Sequence, residues 1–367
     1  MKKGWQIKTI GDVCEVIAGQ SPEGKFYNAE GKGMPFYQGK KDFGDKFIEA
    51  PTTWTTQTTK IAKEGDILMS VRAPVGPVNF ATDEVCIGRG LAAIRSSDEL
   101  NRDFLFYQLW HLQPEIAGRE GAVFASINKA EIEALPLAYA PLAEQQRIVG
   151  LLDEAFAGLA TAKANAEKNL QNARALFESH LQSVFTQRGP GWVEKSLGET
   201  CEMYQPKTIG TKDLVPDGPY PVFGANGVIG RYDKFNHEEP QLLVTCGGAT
   251  CGSVNISEPN SWITGNAMVV RPKDHALNLH FLEFVFRGGI DISAAITGTA
   301  QPQITRTNLS PLLIRFPKSV TEQTRLAEKF ETLTEETQRL ARLSERKHAA
   351  LEALTQSLLH QAFTGAL

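Results

Sequence analysis

Much of this chain is written twice, and no other feature constrains its fold as strongly. GWQIKTIGDVCE at 4–15 aligns with GWVEKSLGETCE at 191–202, six of twelve positions being identical: Trp5 with Trp192, Lys8 with Lys195, Gly11 with Gly198, Cys14 with Cys201 and Glu15 with Glu202 among them. The apolar pattern and final arginine of CIGRGLAAIR (86–95) return in WITGNAMVVR (262–271), and FLFYQL (104–109) is answered by FLEFVF (281–286). GAVFASINKAEIEALPL (121–137) parallels GTAQPQITRTNLSPLLI (298–314), LAEQQRIV (142–149) parallels VTEQTRLA (320–327), and Phe185-Thr186 returns as Phe363-Thr364. At 367 residues and 42% hydrophobic content, the chain has material for a core in each copy.

The offset between equivalents is 187 at the tryptophans, 176 to 177 in the middle and 178 through the last segment. Insertions and deletions therefore fall mainly within 16–70 of the first copy and 203–245 of the second. Shared ends with a variable interior fit modules that do different jobs on one frame, and equally fit plain drift in surface loops.

Each copy opens with short β-branched and aromatic segments punctuated by Gly, Pro and Asn. GDILMSV (65–71), PVNFAT (77–82) and LAAIR (91–95) read as strands, as do QLLVTC (241–246), SVNIS (253–257) and AMVVR (267–271). Asp103–Leu112 and Leu279–Arg287 read as helices, so each copy is expected to be an α+β globule. The last third of each copy changes character. From Ala143 to Gln187 there is no proline and one in three or four positions is apolar or small: Ile148, Leu152, Ala155, Leu159, Ala162, Ala166, Ala173 and Leu176. The second copy gives Leu326, Phe330, Leu333, Thr337, Leu340, Ser344, Lys347, Leu351, Leu354 and Leu358. Ser319 and Glu322 have capping-box spacing, and Gly189-Pro190-Gly191 stops the first helix. Helices of roughly 45 residues extend about 65–70 Å, too far to pack wholly on such domains. Two like stripes predict an antiparallel coiled-coil pair, pseudo-two-fold, with a globular domain at each end. The expected division is 1–141 and 189–318 globular, 142–188 and 319–367 helical.

Composition argues against several functions. Net charge is −4 and the two globular segments are nearly balanced, with 16 basic and 18 acidic residues in 1–141 and 11 and 12 in 188–317. There is thus no global electrostatic drive toward nucleic acid, and a partner is expected to supply positive surface. Five scattered cysteines do not read as a disulfide framework. The absence of a secretory pattern or a long apolar run leads to the expectation of a cytoplasmic protein away from membranes.

Several motifs bear a resemblance to a known family. They are Trp-x-x-x-x-Ile/Leu-Gly opening each half, the Gly-Asp-x-Leu-x-Ser-x-Arg segment at 65–72, and Glu-Gln-x-x-Ile/Leu opening each long helix. In this order, twice over nearly the whole chain, they resemble the specificity subunit of type I restriction-modification systems. The resemblance implies that the globular parts are target recognition domains, each reading half of a bipartite, asymmetric site in double-stranded DNA, and that the helices set the gap. It implies docking of two modification (methyltransferase) subunits and of restriction (translocase/nuclease) subunits. S-adenosylmethionine, ATP and magnesium are expected in those partners and no cofactor in this chain. Two segments depart from the family pattern: Phe124-Ala125-Ser126 stands where the second copy has Gln301-Pro302-Gln303, and Lys318-Ser319-Val320 replaces a proline-rich helix entry.

The chain carries no Gly-x4-Gly-Lys-Ser/Thr, no Asn/Asp-Pro-Pro-Tyr/Phe and no Gly-x-Ser-x-Gly, so a non-catalytic subunit is expected. Cys246-x4-Cys251 with His275-x4-His280 mimics a zinc pairing, but the first copy has Val75 and Asp103 near the Cys251 and His280 registers, and no metal is expected. Base reading needs Arg, Lys, Asn or Gln at groove-facing positions. The divergent interiors offer Lys25, Gln38, Lys40, Lys41, Arg72 and Arg89 in the first copy, and Lys207, Lys212, Asn226, Arg231 and Lys234 in the second; each competes with an ordinary solvated charge. Trp5 and Trp192 read as core or helix-packing residues. The segments Glu144-Gln145-Arg147 and Glu322-Gln323-Arg325 read as outer faces for subunit docking or for solvent. A coiled-coil scaffold with protein-binding ends is the alternative function.

Overall fold

The computed structural model describes residues 4–117, 126–187, 189–298 and 301–367. The chain divides into two compact units, Met1–Asn165 with Arg346–Leu367, and Ala166–Glu345. Each unit holds one globular module, the start of the long helix that follows it, and the end of the other long helix.

The heart of the first module is a four-stranded antiparallel sheet in the order Cys14–Ala18, Leu91–Ser96, Ile67–Ser70, Val78–Phe80. The second repeats it as Cys201–Tyr204, Ala267–Pro272, Leu242–Thr245, Val254–Ile256. The inner strands are apolar at nearly every position because both faces are covered. Ile67, Met69, Ala92 and Ile94 point into the core shared with the helices, whereas Leu68, Leu91 and Ala93 point into a smaller core on the opposite face. The second module splits in the same way, Leu242, Val244, Met268 and Val270 on one side and Leu243, Ala267 and Val269 on the other. This is the two-residue alternation of a strand buried on both faces.

What covers the second face differs. The first module uses a five-stranded mixed sheet, in which Phe36 and Tyr37 pair parallel with Cys86 and Ile87; the second uses a three-stranded sheet, in which Val222 and Phe223 pair parallel with Trp262 and Ile263. The unequal offsets in the sequence thus belong to this outer layer. Behind the inner sheet lie helix Arg102–Ala117 in the first module and Leu279–Phe284 in the second, the latter running on through a π turn at Val285–Gly289. The entry strands Gln6–Thr9 and Trp192–Ser196 pair with Pro136–Tyr139 and Leu313–Pro317.

The long helices span Leu142–Gln187 and Val320–Thr364, and in each unit the start of one runs antiparallel to the end of the other. In the first unit Ile148 and Leu152 share a core with Leu359 and Ala362; in the second Leu326 and Phe330 share one with Leu181 and Phe185. The tryptophans belong to these junctions. Trp5 meets Phe104, with ring centroids 6.2 Å apart, and Phe104 meets Phe363 at 5.3 Å. In the second unit Trp192 meets Phe281 at 6.1 Å and Phe281 meets Phe185 at 5.7 Å. Gly288 and Gly289 let the first long helix approach here: an added Cβ would lie 2.5 Å from Leu181 and 2.9 Å from Phe185.

The pairing face differs in part from the stripe read in sequence. Leu159, Leu333, Leu340, Leu351 and Leu358 are half-buried, but Leu176 is 68% exposed and Leu354 45% exposed. A helix of 3.6 residues per turn drifts against a strict 3-4 repeat, so the face passes from Ala173 to Phe177 and from Ser344 to His348, Leu351 and Thr355. The strict 3-4 spacing thus falls one residue short of the face, on Leu176 and Leu354 where Phe177 and Thr355 occupy it.

A second correction concerns Gln145 and Gln323, which are fully buried and not on an outer face. The Gln145 amide oxygen accepts from the Asn101 backbone N–H at 2.7 Å, and its Nε2 donates to the carbonyls of Ala140 at 2.8 Å and Glu99 at 3.2 Å. Gln323 repeats the arrangement with the Asn278 N–H at 2.7 Å and the carbonyls of Pro317 at 2.7 Å and Ala276 at 2.9 Å. Each amide fastens the first turn of a long helix to the loop that starts the module's short helix. Glu144 and Arg147, and Glu322 and Arg325, form surface pairs beside them at 2.7 Å.

Replacing Gln145 or Gln323 by Ala strands buried backbone groups and is expected to cost about 2 kcal/mol or more each, against under about 1 kcal/mol for Glu144→Ala or Glu322→Ala. Urea unfolding midpoints measure both, and equal small shifts would contradict the staple. A pH dependence also follows. Burial and the neighbouring His360 hold His111 below the usual imidazole range, and burial and Lys329 do the same to His180. The unfolded chain binds more protons than the folded one below about pH 6.5, so stability is unpenalised above that value and falls as the medium is acidified. Melting temperature should drop between neutral pH and pH 5.5, with a shallower slope in His111→Gln.

Candidate nucleic-acid interface

In the first module five of the six candidate residues converge. Gln38 follows strand Met34–Tyr37, Lys40 and Lys41 begin a 3-10 turn, Arg72 follows Ile67–Ser70, and Arg89 occupies the bend between Val85–Ile87 and Leu91–Ser96. Gln38, Lys40, Arg72 and Arg89 line one depression of about 180 Å³ together with Ser70 and Ala73. Lys41 and Pro74 extend it into an adjoining one of about 550 Å³. Among the described residues no carboxylate lines either. Lys41 lies 3.6 Å from Asp42, whose carboxyl is pushed up by burial and pulled back by that lysine.

The backbone beneath is fixed. Val71 N–H donates to the Gly90 carbonyl at 2.9 Å, Ile127 N–H to the Val71 carbonyl at 3.0 Å, and the Ser70 hydroxyl to the Arg72 carbonyl at 3.1 Å. Gly90 is glycine for space: a Cβ would fall 2.2 Å from the Gln38 carbonyl oxygen. Lys25 lines neither depression; it pairs with Glu23 at 2.6 Å and lies over the Phe26 ring. Arg95, at the far end of its strand, is committed to Asp66 through two hydrogen bonds of 2.9 and 2.7 Å and to Glu15 at 2.9 Å.

The second module presents the same ladder positions with other side chains. Gly247 bridges Gln303 as Arg72 bridges Ser126, and Ile304 N–H donates to the Cys246 carbonyl at 2.8 Å as Ile127 does to Val71. Gly265 stands where the first module has Arg89. A Cβ there would lie 2.7 Å from both the Pro206 carbonyl and the Thr208 hydroxyl, and Gln205 Nε2 donates to the Gly265 carbonyl at 3.1 Å. The segment 205–208 therefore covers the place that Arg89 occupies in the other module.

The remaining candidates of this module fare unequally. Lys207, Lys212 and Lys234 are exposed and make no ion pair among the described residues. Asn226, at the tip of the hairpin Tyr220–Gly224/Gly227–Tyr232, accepts from the Thr245 hydroxyl at 3.3 Å. Arg231 is a correction: its guanidinium donates to the carbonyls of Gly218 at 2.5 Å and Pro219 at 2.6 Å, and so clamps the turn before the hairpin. Basic residue type alone could not separate a clamp from a free cation.

Sequence reasoning missed two features. Gln303 is exposed beside Gly247, and its alignment with Ser126 was the available signal. Val228 and Ile229 stand about half exposed on the hairpin, where apolar type pointed to a core instead. Phe124 and Ala125, in the segment that departs from the family pattern, lie outside the described residues, as do Thr299 and Ala300. The Cys246 and Cys251 thiols are pushed up chiefly by burial, His280 pairs with Glu331 at 2.9 Å, and no cluster of three metal-ligating side chains occurs among the described residues. No described helix is long and apolar enough to cross a membrane.

Fold and site together define a tandem protein: two modules of one topology, seated on paired long helices, with unlike side chains at like positions. The model of the type I restriction modification DNA specificity domain matches it over residues 2–170 and 190–346. Among curated relatives, the putative type I restriction enzyme MjaX specificity subunit of Methanocaldococcus jannaschii is 39% identical over 174 residues, covering 46% of this chain and 40% of that protein. The type I restriction enzyme EcoprrI specificity subunit of Escherichia coli is 24% identical over 299 residues, 75% of this chain and 73% of that one. The chain spans about 40% of the length of the first of these. In fold it is similar to a solved chain of a type I R-M system (TM-score 0.82, 19% identity, 100% of this chain and 99% of that one) and to the HsdS subunit of Thermoanaerobacter tengcongensis (TM-score 0.61, 18% identity, 100% and 98%). The chain belongs to the family of type I restriction-modification specificity subunits.

Arg231→Ala is expected to lower stability by about 1 kcal/mol, since the carbonyl of the buried Gly218 loses its donor while that of the exposed Pro219 turns to water. Lys212→Ala and Lys234→Ala should leave the melting temperature within a degree or so. Differential scanning fluorimetry on the three variants decides, and an inert Arg231→Ala would remove the clamp.

Proposed function

We propose that this chain is a non-catalytic DNA-recognition subunit, each module reading one half of a bipartite, asymmetric double-stranded site. One observation carries the reading. At matched positions of one scaffold the first module bears Arg72 and Arg89 and the second bears Gly247 and Gly265. A surface with a packing role would be expected to keep these positions alike, whereas two readers of different sequences need them unlike.

The long helices fix the separation of the half-sites and dock two modification subunits, with restriction subunits joining the assembly. In the first unit a groove of about 890 Å³, open between the helices and the module, is lined by Phe106, Trp110, Phe156, Leu159 and Leu351. Phe106 is buried and the others are half-buried, so the groove is a partly open apolar hollow of a kind that suits a protein partner. S-adenosylmethionine, ATP and magnesium would be held by the partners. A net charge of −4 also fits a subunit whose DNA affinity depends on basic surface supplied by others.

The test is to express the chain with its cognate modification subunit and map methylated adenines across a host genome. The expected result is a single motif of two unlike half-sites separated by a fixed gap, lost when this chain is deleted. A motif without a gap, or methylation that persists without the chain, would sink the proposal. Binding should also weaken steeply with salt, whereas a protein-binding scaffold would form DNA-independent, salt-tolerant complexes.

A further inference from the structure

We propose that this depression of the first module is a guanine-reading site, with Arg72 and Arg89 as its specificity-determining side chains. The inference deepens the DNA-recognition reading and rests on it. Arg72 and Arg89 are both exposed, both sit at strand ends with hydrogen-bonded backbone, and both line the same hollow as Gln38 and Lys40. Among the described residues neither guanidinium has a hydrogen-bond or ion-pair partner. The module's other described arginines do: Arg95 holds Asp66 and Glu15, and Arg102 lies 3.6 Å from Asp103.

Two forked donors unpaired beside a lysine, with no carboxylate among the described lining residues, favour a ligand that offers paired acceptors. On the major-groove edge of DNA, guanine presents adjacent O6 and N7 acceptors that match an arginine fork. Adenine puts a donor at the sixth position, and the pyrimidines lack the pair. The neighbouring Gln38 adds an amide able to donate or accept beside the same base step. In the second module Gly247 and Gly265 leave these positions without side chains, and 205–208 lies over Gly265. The guanine requirement therefore belongs to one half-site and not to the other at the matched position.

A backbone phosphate would also accept from arginine, and lysine substitution separates the two sources. Lysine keeps the charge that a phosphate needs and loses the fork that guanine needs. The experiment is methylome mapping of the full chain with its modification subunit, comparing wild type with R72K, R89K and the double variant. Thermal unfolding and co-purification confirm that each variant folds and assembles.

The expected wild-type motif has a guanine in one half. In R72K or R89K that guanine should be relaxed, with discrimination against other bases falling roughly tenfold or more, while the second half-site and the gap stay unchanged. No guanine in either half, or an unchanged motif in the double variant, overturns the guanine site while leaving DNA recognition standing. A wild-type complex with no bipartite motif overturns the broader reading instead.

Discussion

The structure depends on the way each long helix is anchored at both ends. Its first turn is fastened by a buried glutamine to the module that precedes it, and its last turns lie in the aromatic core of the other module. Gln145 and Gln323 make the equivalent three hydrogen bonds each, and Phe363 and Phe185 meet the equivalent pairs Trp5–Phe104 and Trp192–Phe281. A buried amide with every bond satisfied is geometrically demanding and so fixes direction as well as position. The apolar junction supplies the larger share of the free energy, since burying a Phe or Trp is worth about 2–3 kcal/mol and a net hydrogen bond about 1. Specification of helix direction and stabilisation of its far end therefore come from different interactions.

This division explains why the compact units cut across the linear modules. A unit made of one module and its own complete helix would leave the Trp5–Phe104 pair without Phe363 and the Trp192–Phe281 pair without Phe185. Between the anchors the pairing face needs little bulk, and there it carries Ala166, Ala173, Thr337 and Ser344. The middle of each helix can be polar or small because the ends already determine where it lies.

The duplication, six of the eight inner-sheet strands and the long helices were legible in the sequence because each is written in its residue pattern. Strands buried on both faces give nearly unbroken apolar runs, and an amphipathic helix repeats its stripe. Three things were not legible. A strict 3-4 spacing points to Leu176 and Leu354 for the pairing face, while the helical drift places Phe177, His348 and Thr355 there instead. Gln145 and Gln323 looked like surface polar residues because burial of an amide shows only once its three partners, distant in sequence, are in place. In the site, Gln38, Lys40, Lys41, Arg72 and Arg89 did converge, but Lys25 and Arg231 have the same chemistry and other duties. Charge in a loop says nothing about which carbonyl or carboxylate it will meet.

The charge balance has a further consequence for how such a surface works. With 16 basic and 18 acidic residues, the first module has no net field to draw in a polyanion from a distance. At physiological salt the screening length is roughly 8 Å, so under the proposed function only the local arrangement would matter once a partner had brought DNA close. Pairing Arg95 with Asp66 and Glu15, Lys25 with Glu23 and Lys46 with Asp103 silences cations outside the depression. Among the described residues Lys40, Arg72 and Arg89 inside it make no ion pair, and Lys41 at its edge lies near Asp42. A nearly neutral domain can thereby hold little affinity for DNA at large and still discriminate at one point of contact, because non-specific binding scales with the number of free cations and base reading scales with the geometry of a few.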